Sequence, residues 1–173
     1  MHLVECNEER HAGEILAIFN EAIVNSTALY DYKPRAPETM VAWFATKRAN
    51  GFPVIGMEDD SGKLLGFASY GTFRAFPAYK YTVEHSVYVE KNSRGLGLGR
   101  KLLEAVIAKA EEQGMHTLVG AIDLDNSVSI ALHQRLGFEH CGTIRQAAFK
   151  FGRWLDLAFL QRTLATPLEP VDG

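Results

Sequence analysis

The alternation of apolar and polar positions divides the chain into seven strand-like and four helix-like segments. Apolar residues recur every three or four positions after Asn7 and again after Gly99, as expected where one face of a helix is buried. Short alternating or β-branched runs indicate strands. The predicted strands are 2–6, 54–58, 64–70, 81–89, 117–122, 138–143 and 154–161; the predicted helices run from Asn7 to Asn25, Pro37 to Asn50, Gly99 to Gly114 and Ser127 to Leu136.

The order of these segments, β-α-α-β-β-β-α-β-α-β-β, predicts one α/β domain of the α+β type with a mixed sheet. A chain of 173 residues has the length of a single domain. No sequence repeat or linker-like stretch divides it. We expect the domain to span residues 1–165, and residues 166–173, which include two prolines, to form a loose tail.

Composition narrows the possible functions. A net charge of −3 disfavours a generic nucleic-acid binder, which needs a basic surface, so any anionic ligand must be held by local geometry. Cys6 and Cys141 are too few for a disulfide framework, and the six histidines lack the spacing of a metal site. The sequence shows no signal peptide and no stretch of about 20 apolar residues. We therefore expect a cytoplasmic protein without metal, membrane or nucleic-acid partners.

A glycine-rich segment, Arg94–Gly99, follows a predicted strand and opens a helix. Free N–H groups at a helix N-terminus, next to glycines, form a site for phosphate or pyrophosphate. The alternative is a flexible turn that only caps the helix. A Walker loop is disfavoured because no hydroxyl follows Arg100 and Lys101. A dinucleotide fingerprint is disfavoured because the glycine spacing differs and the segment lies in mid-chain.

Two motifs resemble the GNAT superfamily of N-acetyltransferases. Arg94, Gly97 and Gly99 match its Arg/Gln-x-x-Gly-x-Gly/Ala loop, and residues 125–138 look like its Asn-x-x-Ala/Ser-x-x-Leu-Tyr-x-x-x-Gly-Phe segment. The resemblance covers about residues 2–162 and implies a mostly antiparallel seven-stranded sheet flanked by about four helices. It also implies acetyl-CoA as cosubstrate. The residues that it assigns to acetyl-CoA are Val87, Tyr88, Val89, Arg94, Gly95, Leu96, Gly97, Leu98, Gly99, Arg100, Lys101, Asn126 and Ser129.

Residues 71–89 and 148–156 are more particularly similar to the phosphinothricin and methionine sulfoximine acetyltransferase family. That resemblance implies acetylation of the α-amino group of small amino acid analogues, which is a detoxification reaction. It also implies a homodimer. The alternatives are an acetyltransferase for another amine, such as a protein N-terminus or a polyamine, and a non-catalytic acyl-CoA-binding regulatory module.

The catalytic candidates are Glu84 and His133. Strand alternation places Glu84 and His85 on opposite faces. The resemblance assigns the general base to Glu84, although such a carboxylate is ordinarily only solvated. His133 stands where many GNAT enzymes carry a tyrosine that protonates the departing thiolate, so it is either the general acid or a structural histidine. His85 is either a packed histidine or a substrate-side group, and Asn126 is also an ordinary helix N-cap.

The substrate is expected to contact the segment before the fourth strand and that strand itself. Arg74 suits a substrate carboxylate because guanidinium forms paired hydrogen bonds to it, although it is equally a surface arginine. Tyr30 and Lys150 are weaker candidates, and Trp43 and Trp154 indicate core or dimer packing. The predicted substrate-binding residues are Phe73, Arg74, Ala75, Phe76, Glu84, His85 and Ser86.

Overall fold

The computed structural model describes residues 1–172, and within that range the chain forms four α-helices and seven strands. The helices are α1 (Glu8–Asn25), α2 (Thr39–Ala49), α3 (Leu98–Glu112) and α4 (Ser127–Arg135). The strands are β1 (His2–Glu5), β2 (Val54–Glu58), β3 (Leu64–Thr72), β4 (Thr82–Val89), β5 (Thr117–Asp123), β6 (Glu139–Lys150) and β7 (Arg153–Thr163). The predicted order of elements is confirmed.

The strands form one sheet with the hydrogen-bonding order β1-β2-β3-β4-β5-β7-β6. The β4–β5 pair is parallel, whereas β1–β2, β2–β3, β5–β7 and β6–β7 are antiparallel. This confirms the mixed, mostly antiparallel sheet. The chain forms two compact units, one of residues 1–70 and 86–106 and the other of residues 71–85 and 107–172.

The first unit has an aromatic core beneath α1. The Phe19 ring meets Phe67 and Tyr88 edge-on, with centroids 5.1 and 5.2 Å apart, and Trp43 packs against the same ring. Such edge-to-face contacts stabilise a core beyond the area that they bury. The helix begins as predicted, because the Asn7 side chain accepts the backbone N–H of Arg10.

The second unit is organised by a long β6–β7 hairpin. β6 extends to Lys150, well beyond the predicted end at residue 143, because a bulge between Ile144 and Ala148 interrupts its alternation. Gln146 lies in this bulge with φ of 53°, and its N–H donates to the Asp156 carboxylate at 2.8 Å. Residues 145–147 of β6 stand opposite Asp156 alone, and this bulge hid the second half of the strand from the sequence pattern.

The C-terminal residues 164–172 contain no helix or strand, yet Leu164, Thr166 and Val171 make hydrogen bonds. The Thr166 hydroxyl donates to the Met115 carbonyl, and the Val171 N–H donates to the Tyr81 hydroxyl. The boundary at residue 165 and the looseness of the tail stay predictions, and Gly173 lies outside the described residues.

Candidate active site

Strand β4 presents two different faces in the second unit. Its parallel ladder with β5 pairs Thr82 to Glu84 with successive β5 residues and ends at Glu84. Val83 and His85 are buried, whereas Glu84 is half-buried. This confirms the predicted alternation, with Glu84 and His85 on opposite faces.

The Glu84 carboxyl is electrostatically coupled to Arg74. Burial raises the pKa of Glu84 above its ordinary value, and the positive charge of Arg74 partly opposes that increase. A carboxylate with a raised pKa is a stronger base toward an ammonium proton. Arg74 is therefore near enough to Glu84 to affect its charge state, and the sequence predicted the two separately, one as a carboxylate-binding cation and the other as a base.

The segment that carries Arg74 is built around an aromatic ring. The guanidinium carbon lies 5.0 Å from the centroid of Phe73, which packs edge-on against Tyr79. Ala75 and Phe76 are exposed, Phe76 by 72%. The cation is thus supported by a ring while its segment remains accessible to a ligand.

His85 and His133 form a buried pair, although the sequence assigned them to different roles. Their Nε2 atoms lie 2.9 Å apart, and His133 Nδ1 lies 2.7 Å from the Ser129 carbonyl oxygen. Burial lowers the pKa of both histidines. The pKa of His85 is lowered further by His133 and raised to a smaller extent by the Val119 backbone, and it is about 3. Both rings are therefore neutral near pH 7.

Two residues that were not predicted as site residues enclose this pair. The Phe138 ring centroid lies 5.1 Å from each imidazole centroid. A Cβ atom on Gly120 would lie only 3.0 Å from His85 Cε1. A glycine inside an apolar strand is a signal of close approach and is the sequence feature that points to this contact.

The turn before α4 is held on both sides. Asn126 Oδ1 accepts the Ser129 N–H at 3.1 Å, which confirms the predicted N-cap. Arg153 donates to Asp123 at 3.1 Å and to Asp125 at 2.9 Å. The predicted contact of Asn126 and Ser129 with the pantetheine arm stays a prediction, but their backbone is fixed in place.

The glycine loop lies in the first unit and adopts the predicted sharp turns. Gly95 and Gly97 have φ values of 80° and 75°, a region that residues with a Cβ rarely adopt. Leu98 is buried and begins α3, whose first N–H groups lack partners within the helix. The Arg94 guanidinium donates to Glu21 on α1 at 2.5 Å, an ion pair that the sequence did not reveal.

The other predicted acetyl-CoA residues lie on either side of these turns. Arg100 is paired with Glu104 at 2.8 Å, and Leu96 and Lys101 are exposed. A cavity of about 300 Å³ is present beside α1. It is lined by Glu14, Ala17, Ile18, Glu21, Lys63, Leu64, Glu90 and Lys91. The acetyl-CoA contacts predicted for Gly99, Arg100 and Lys101 stay predictions.

The remaining candidates have mixed surroundings. Ser86, Val87, Tyr88 and Val89 continue β4 in the first unit and are half-buried. Of the two weaker substrate candidates, Tyr30 is half-buried and Lys150 is buried beside Phe151. Of the two tryptophans, Trp43 packs in the core of the first unit and Trp154 is 57% exposed. Their predicted contacts with ligands or a second subunit stay predictions.

The described groups include a carboxyl with a raised pKa, a cation that acts on it, and glycine turns at a helix N-terminus, which are suited to serve as a base, an anchor for a carboxylate and an anion-binding loop. These are the requirements for moving an acyl group from a phosphate-bearing carrier to a substrate that has both an amine and a carboxylate. Within residues 1–172, no group of three or more His, Cys, Asp and Glu residues is placed to hold a metal ion. Over the same residues, no helix has the length and apolarity to cross a membrane.

Comparison with known proteins identifies related sequences and folds. The acetyltransferase (GNAT) family matches residues 16–138. An L-methionine sulfoximine/L-methionine sulfone acetyltransferase from Pseudomonas aeruginosa is 49% identical over 150 residues, which cover 87% of each chain.

Solved structures extend the likeness to nearly the whole chain. One from Acinetobacter baylyi is 64% identical with a TM-score of 0.99, covering 99% of this chain and 96% of that chain. A phosphinothricin acetyltransferase from Sinorhizobium meliloti, crystallised in complex with acetyl-CoA, is 33% identical with a TM-score of 0.94. That match covers 99% of this chain and 94% of the other.

Proposed function

Because this chain belongs to the acetyltransferase (GNAT) family, we propose that it acetylates the α-amino group of small amino acid analogues of the methionine sulfoximine, methionine sulfone and phosphinothricin type. The chain is an acetyl-CoA-dependent N-acetyltransferase. The relative from Pseudomonas aeruginosa is named for methionine sulfoximine and methionine sulfone, and the Sinorhizobium meliloti structure for phosphinothricin. These substrates share an α-amino group beside a carboxylate.

The observation that carries the proposal is that Arg74 lies near enough to Glu84 for its charge to lower the pKa of that carboxyl. A substrate carboxylate on the Arg74 guanidinium places the neighbouring amine close to Glu84, since both groups sit on one α-carbon. Glu84 then accepts the ammonium proton, directly or through water, and the neutral amine attacks the thioester carbonyl. The C–S bond breaks as the amide forms, and the departing thiolate of coenzyme A takes up the proton that the nitrogen loses. Phe73, Ala75, Phe76 and Ser86 complete the substrate surface.

The acetyl donor is assigned to the glycine loop and the end of β4. The N–H groups of the loop from Arg94 to Lys101 and of the α3 N-terminus suit the pyrophosphate of acetyl-CoA. Backbone N–H groups near Val87 and Val89 polarise the thioester carbonyl, as an oxyanion hole does. Tyr88 shares this segment, and Asn126 and Ser129 contact the pantetheine arm.

Acetylation turns a charged ammonium into a neutral amide, so an amino acid mimic loses the group by which other enzymes recognise it. This chemistry supports a detoxification or resistance role in the cytoplasm, where acetyl-CoA is available. We further propose a homodimer, which the exposed Phe149, Phe151 and Trp154 on the β6–β7 hairpin support, because large exposed aromatic groups favour an interface. Sedimentation velocity of the purified protein tests that assembly.

Thiol release from acetyl-CoA, measured with a panel of amines, tests the activity and its substrate class. We expect methionine sulfoximine, methionine sulfone and phosphinothricin to accelerate release strongly, and spermidine and an N-terminal peptide to do so weakly. Acetyl-CoA binding without any acceleration would instead indicate a regulatory acyl-CoA-binding module. A dominant response to spermidine or peptide would move the protein to another amine class.

The role of Arg74 is tested with a substrate pair that differs only in the carboxylate. Methionine sulfone should have a kcat/KM about 100-fold above that of its methyl ester, because the ester lacks the charge that binds guanidinium. In Arg74→Gln that preference should shrink to a few-fold, whereas Arg135→Gln on α4 is a matched surface control. An unchanged preference in Arg74→Gln would remove Arg74 from the substrate site.

A further inference from the structure

The His85–His133 pair has a proton arrangement that its surroundings determine. The Ser129 carbonyl oxygen can only accept a hydrogen bond, so His133 Nδ1 carries the proton in their 2.7 Å contact. In a neutral imidazole the other nitrogen is then bare, and His133 Nε2 must accept. Its partner at 2.9 Å, His85 Nε2, is therefore the donor.

This arrangement leaves His133 without a proton to give at Nε2. Its single ring proton is held by the Ser129 carbonyl, and its bare nitrogen is occupied by His85. The groups packed around the rings are Phe138 and the backbones of Gly120 and Val119, none of which bears a net charge. The Val119 backbone favours the imidazolium of His85, but burial outweighs it. Burial keeps both rings neutral because it lowers the pKa of each.

The pair connects two elements that carry proposed site residues. His85 follows Glu84 directly and is the first residue of β4 beyond the ladder with β5. His133 binds the Ser129 carbonyl in the first turn of α4, and the Ser129 N–H is held by Asn126. Hydrogen bonds therefore run from the strand that bears the base to the turn proposed to hold the pantetheine arm.

We propose that His85 and His133 are positioning residues, a neutral pair that sets the first turn of α4 relative to Glu84, and that His133 is not the acid that protonates the departing thiolate. The proposal rests on the acetyl transfer proposed above. In this arrangement His85 Nδ1 is left buried without a hydrogen-bond partner in the described chain.

The tautomers are tested in the wild-type protein without substrate, and so independently of activity. Two-bond proton–nitrogen correlation spectra of ¹⁵N-histidine-labelled protein should show His133 protonated at Nδ1 and His85 at Nε2. His85 should not titrate between about pH 5.5 and 8.5, and the midpoint of His133 should lie below the value near 6.5 of an ordinary histidine. An imidazolium signal at pH 7, or a midpoint near 6.5 for either residue, would overturn the neutral pair.

The role is tested by two replacements of His133 and a surface control. In His133→Gln the amide oxygen still accepts from His85, so KM for acetyl-CoA and kcat should stay within about threefold of wild type. In His133→Phe the buried donor loses its partner, and KM for acetyl-CoA should rise about tenfold with a smaller change in kcat. His140→Gln, on the exposed part of β6, should match wild type.

A general acid would give a different pattern. Both His133→Gln and His133→Phe would then lose kcat by about 100-fold or more, and that result refutes the proposal. Kinetics of His133→Phe that equal those of wild type would refute it as well.

Stability gives a separate check on the pair. His133→Phe should lower Tm by about 3–8 °C, because it strands a buried donor. The double variant His85→Phe/His133→Phe should recover part of that loss, since neither ring then needs a partner. If the double variant is less stable than the sum of the two single variants predicts, the hydrogen bond between the rings is not what connects them.

Discussion

His11 in the first unit and His85 in the second are both buried, 1% and 6% exposed, but their hydrogen-bond partners differ. His11 Nδ1 accepts the Asn7 backbone N–H at 3.0 Å, so its Nε2 donates to the buried Glu58 carboxylate at 2.9 Å. The second oxygen of Glu58 accepts from Arg10 at 2.9 Å. Both nitrogens of His11 therefore have partners, and the carboxylate is neutralised by a cation.

His85 has neither a carboxylate nor a cation beside its ring. One nitrogen contacts another neutral imidazole, and the other has no partner within the described chain. An incomplete buried hydrogen bond lowers stability, and such groups in native proteins call for an explanation. The difference leads us to expect that the His11 network contributes to stability, and it agrees with the proposal that the His85 pair maintains the geometry of the site beside Glu84.

The largest expected effect is on the rate of acetyl transfer and comes from Glu84, which lies beside the His85 pair. Glu84→Gln should lower kcat/KM by about 10²–10⁴, because it removes the proposed base. Thiol release measured against pH provides the check, with Glu139→Gln on the exposed start of β6 as the control. A loss of less than threefold would show that Glu84 is not the base.

The pH dependence follows from the raised pKa of Glu84. Since only the carboxylate accepts a proton, the wild-type rate should fall as pH decreases through a pKa above the ordinary value of Glu, and Glu84→Gln should lack that decrease. Burial disfavours the charged form of Glu84. The protonated carboxyl therefore contributes stability to the fold at low pH, and this contribution is lost as the pH rises through the raised pKa. Glu84→Gln should therefore not lower Tm at pH 7.5.

The second effect lies in the His11 network and should change stability instead of rate. Glu58→Gln removes the buried charge that Arg10 and His11 contact, and since Arg10 is 56% exposed the loss should be about 1–3 kcal/mol. For a protein of this size that corresponds to a decrease in Tm of about 3–10 °C, which calorimetry measures. Activity of the folded variant at 20 °C should stay within about twofold of wild type.

Asp60→Asn is the matched control, because Asp60 pairs with the N-terminal amine while 94% exposed. Its Tm should change by no more than about 2 °C, as expected for an exposed ion pair. A tenfold loss of activity in folded Glu58→Gln would contradict the division between a stabilising and a functional histidine site.

The two histidine sites also show what the sequence could predict. The glycine loop and the Asn126 cap were found because each depends on residues within one short segment. Arg74 and Glu84 lie ten positions apart, so their proximity follows from one connection. His85 and His133, like His11 and Glu58, are separated by more than 45 residues, and only the packing of distant elements joins them.

Strand β6 illustrates a different limit. Its predicted end at residue 143 was wrong because the bulge between Ile144 and Ala148 adds two residues to β6 and interrupts the alternation there. The seven-stranded order was still recovered, since each strand needed only part of its length to be recognised. Periodicity thus predicted the elements, and it could not predict irregularities or contacts between distant segments.

The third prediction compares two glycines that lie against buried side chains. A Cβ on Gly120 would lie 3.0 Å from His85 Cε1, and one on Gly56 would lie 2.6 Å from Cys6 Sγ and 2.7 Å from Leu64 Cδ1. Each alanine variant should lose about 1–3 kcal/mol of stability through overpacking. Only Gly120→Ala should also raise KM for acetyl-CoA, by about fivefold, because it displaces the histidine pair.

Denaturant unfolding and acetyl-CoA titration of both variants measure these effects. Equal KM values in Gly120→Ala and Gly56→Ala would show that the contact between β5 and the histidine pair affects stability alone. A raised KM in Gly56→Ala would show that KM reports general loosening of the fold, and the distinction between the two units would fail.

The smallest expected effect concerns a second arginine–glutamate pair of the first unit. The two arginines are similarly exposed, Arg10 by 56% and Arg94 by 52%, but Glu21 is 20% exposed where Glu58 is 1% exposed, so the Arg94–Glu21 attraction is worth only about 0.2–1 kcal/mol. A pyrophosphate that uses Arg94 must compete with Glu21. Glu21→Gln should therefore tighten acetyl-CoA binding by up to about fivefold, measured by calorimetry.

Salt sharpens this last test, because screening weakens an exposed ion pair. The gain in Glu21→Gln should be largest at low ionic strength and should shrink as salt is added. Glu112→Gln, which removes an exposed partner of Lys109 at the far end of α3, should not change acetyl-CoA affinity. Weaker binding in Glu21→Gln would mean that Glu21 orients Arg94 for the ligand and does not compete with it. The Arg94–Glu21 pair would then have a structural role, as the Glu58 network does.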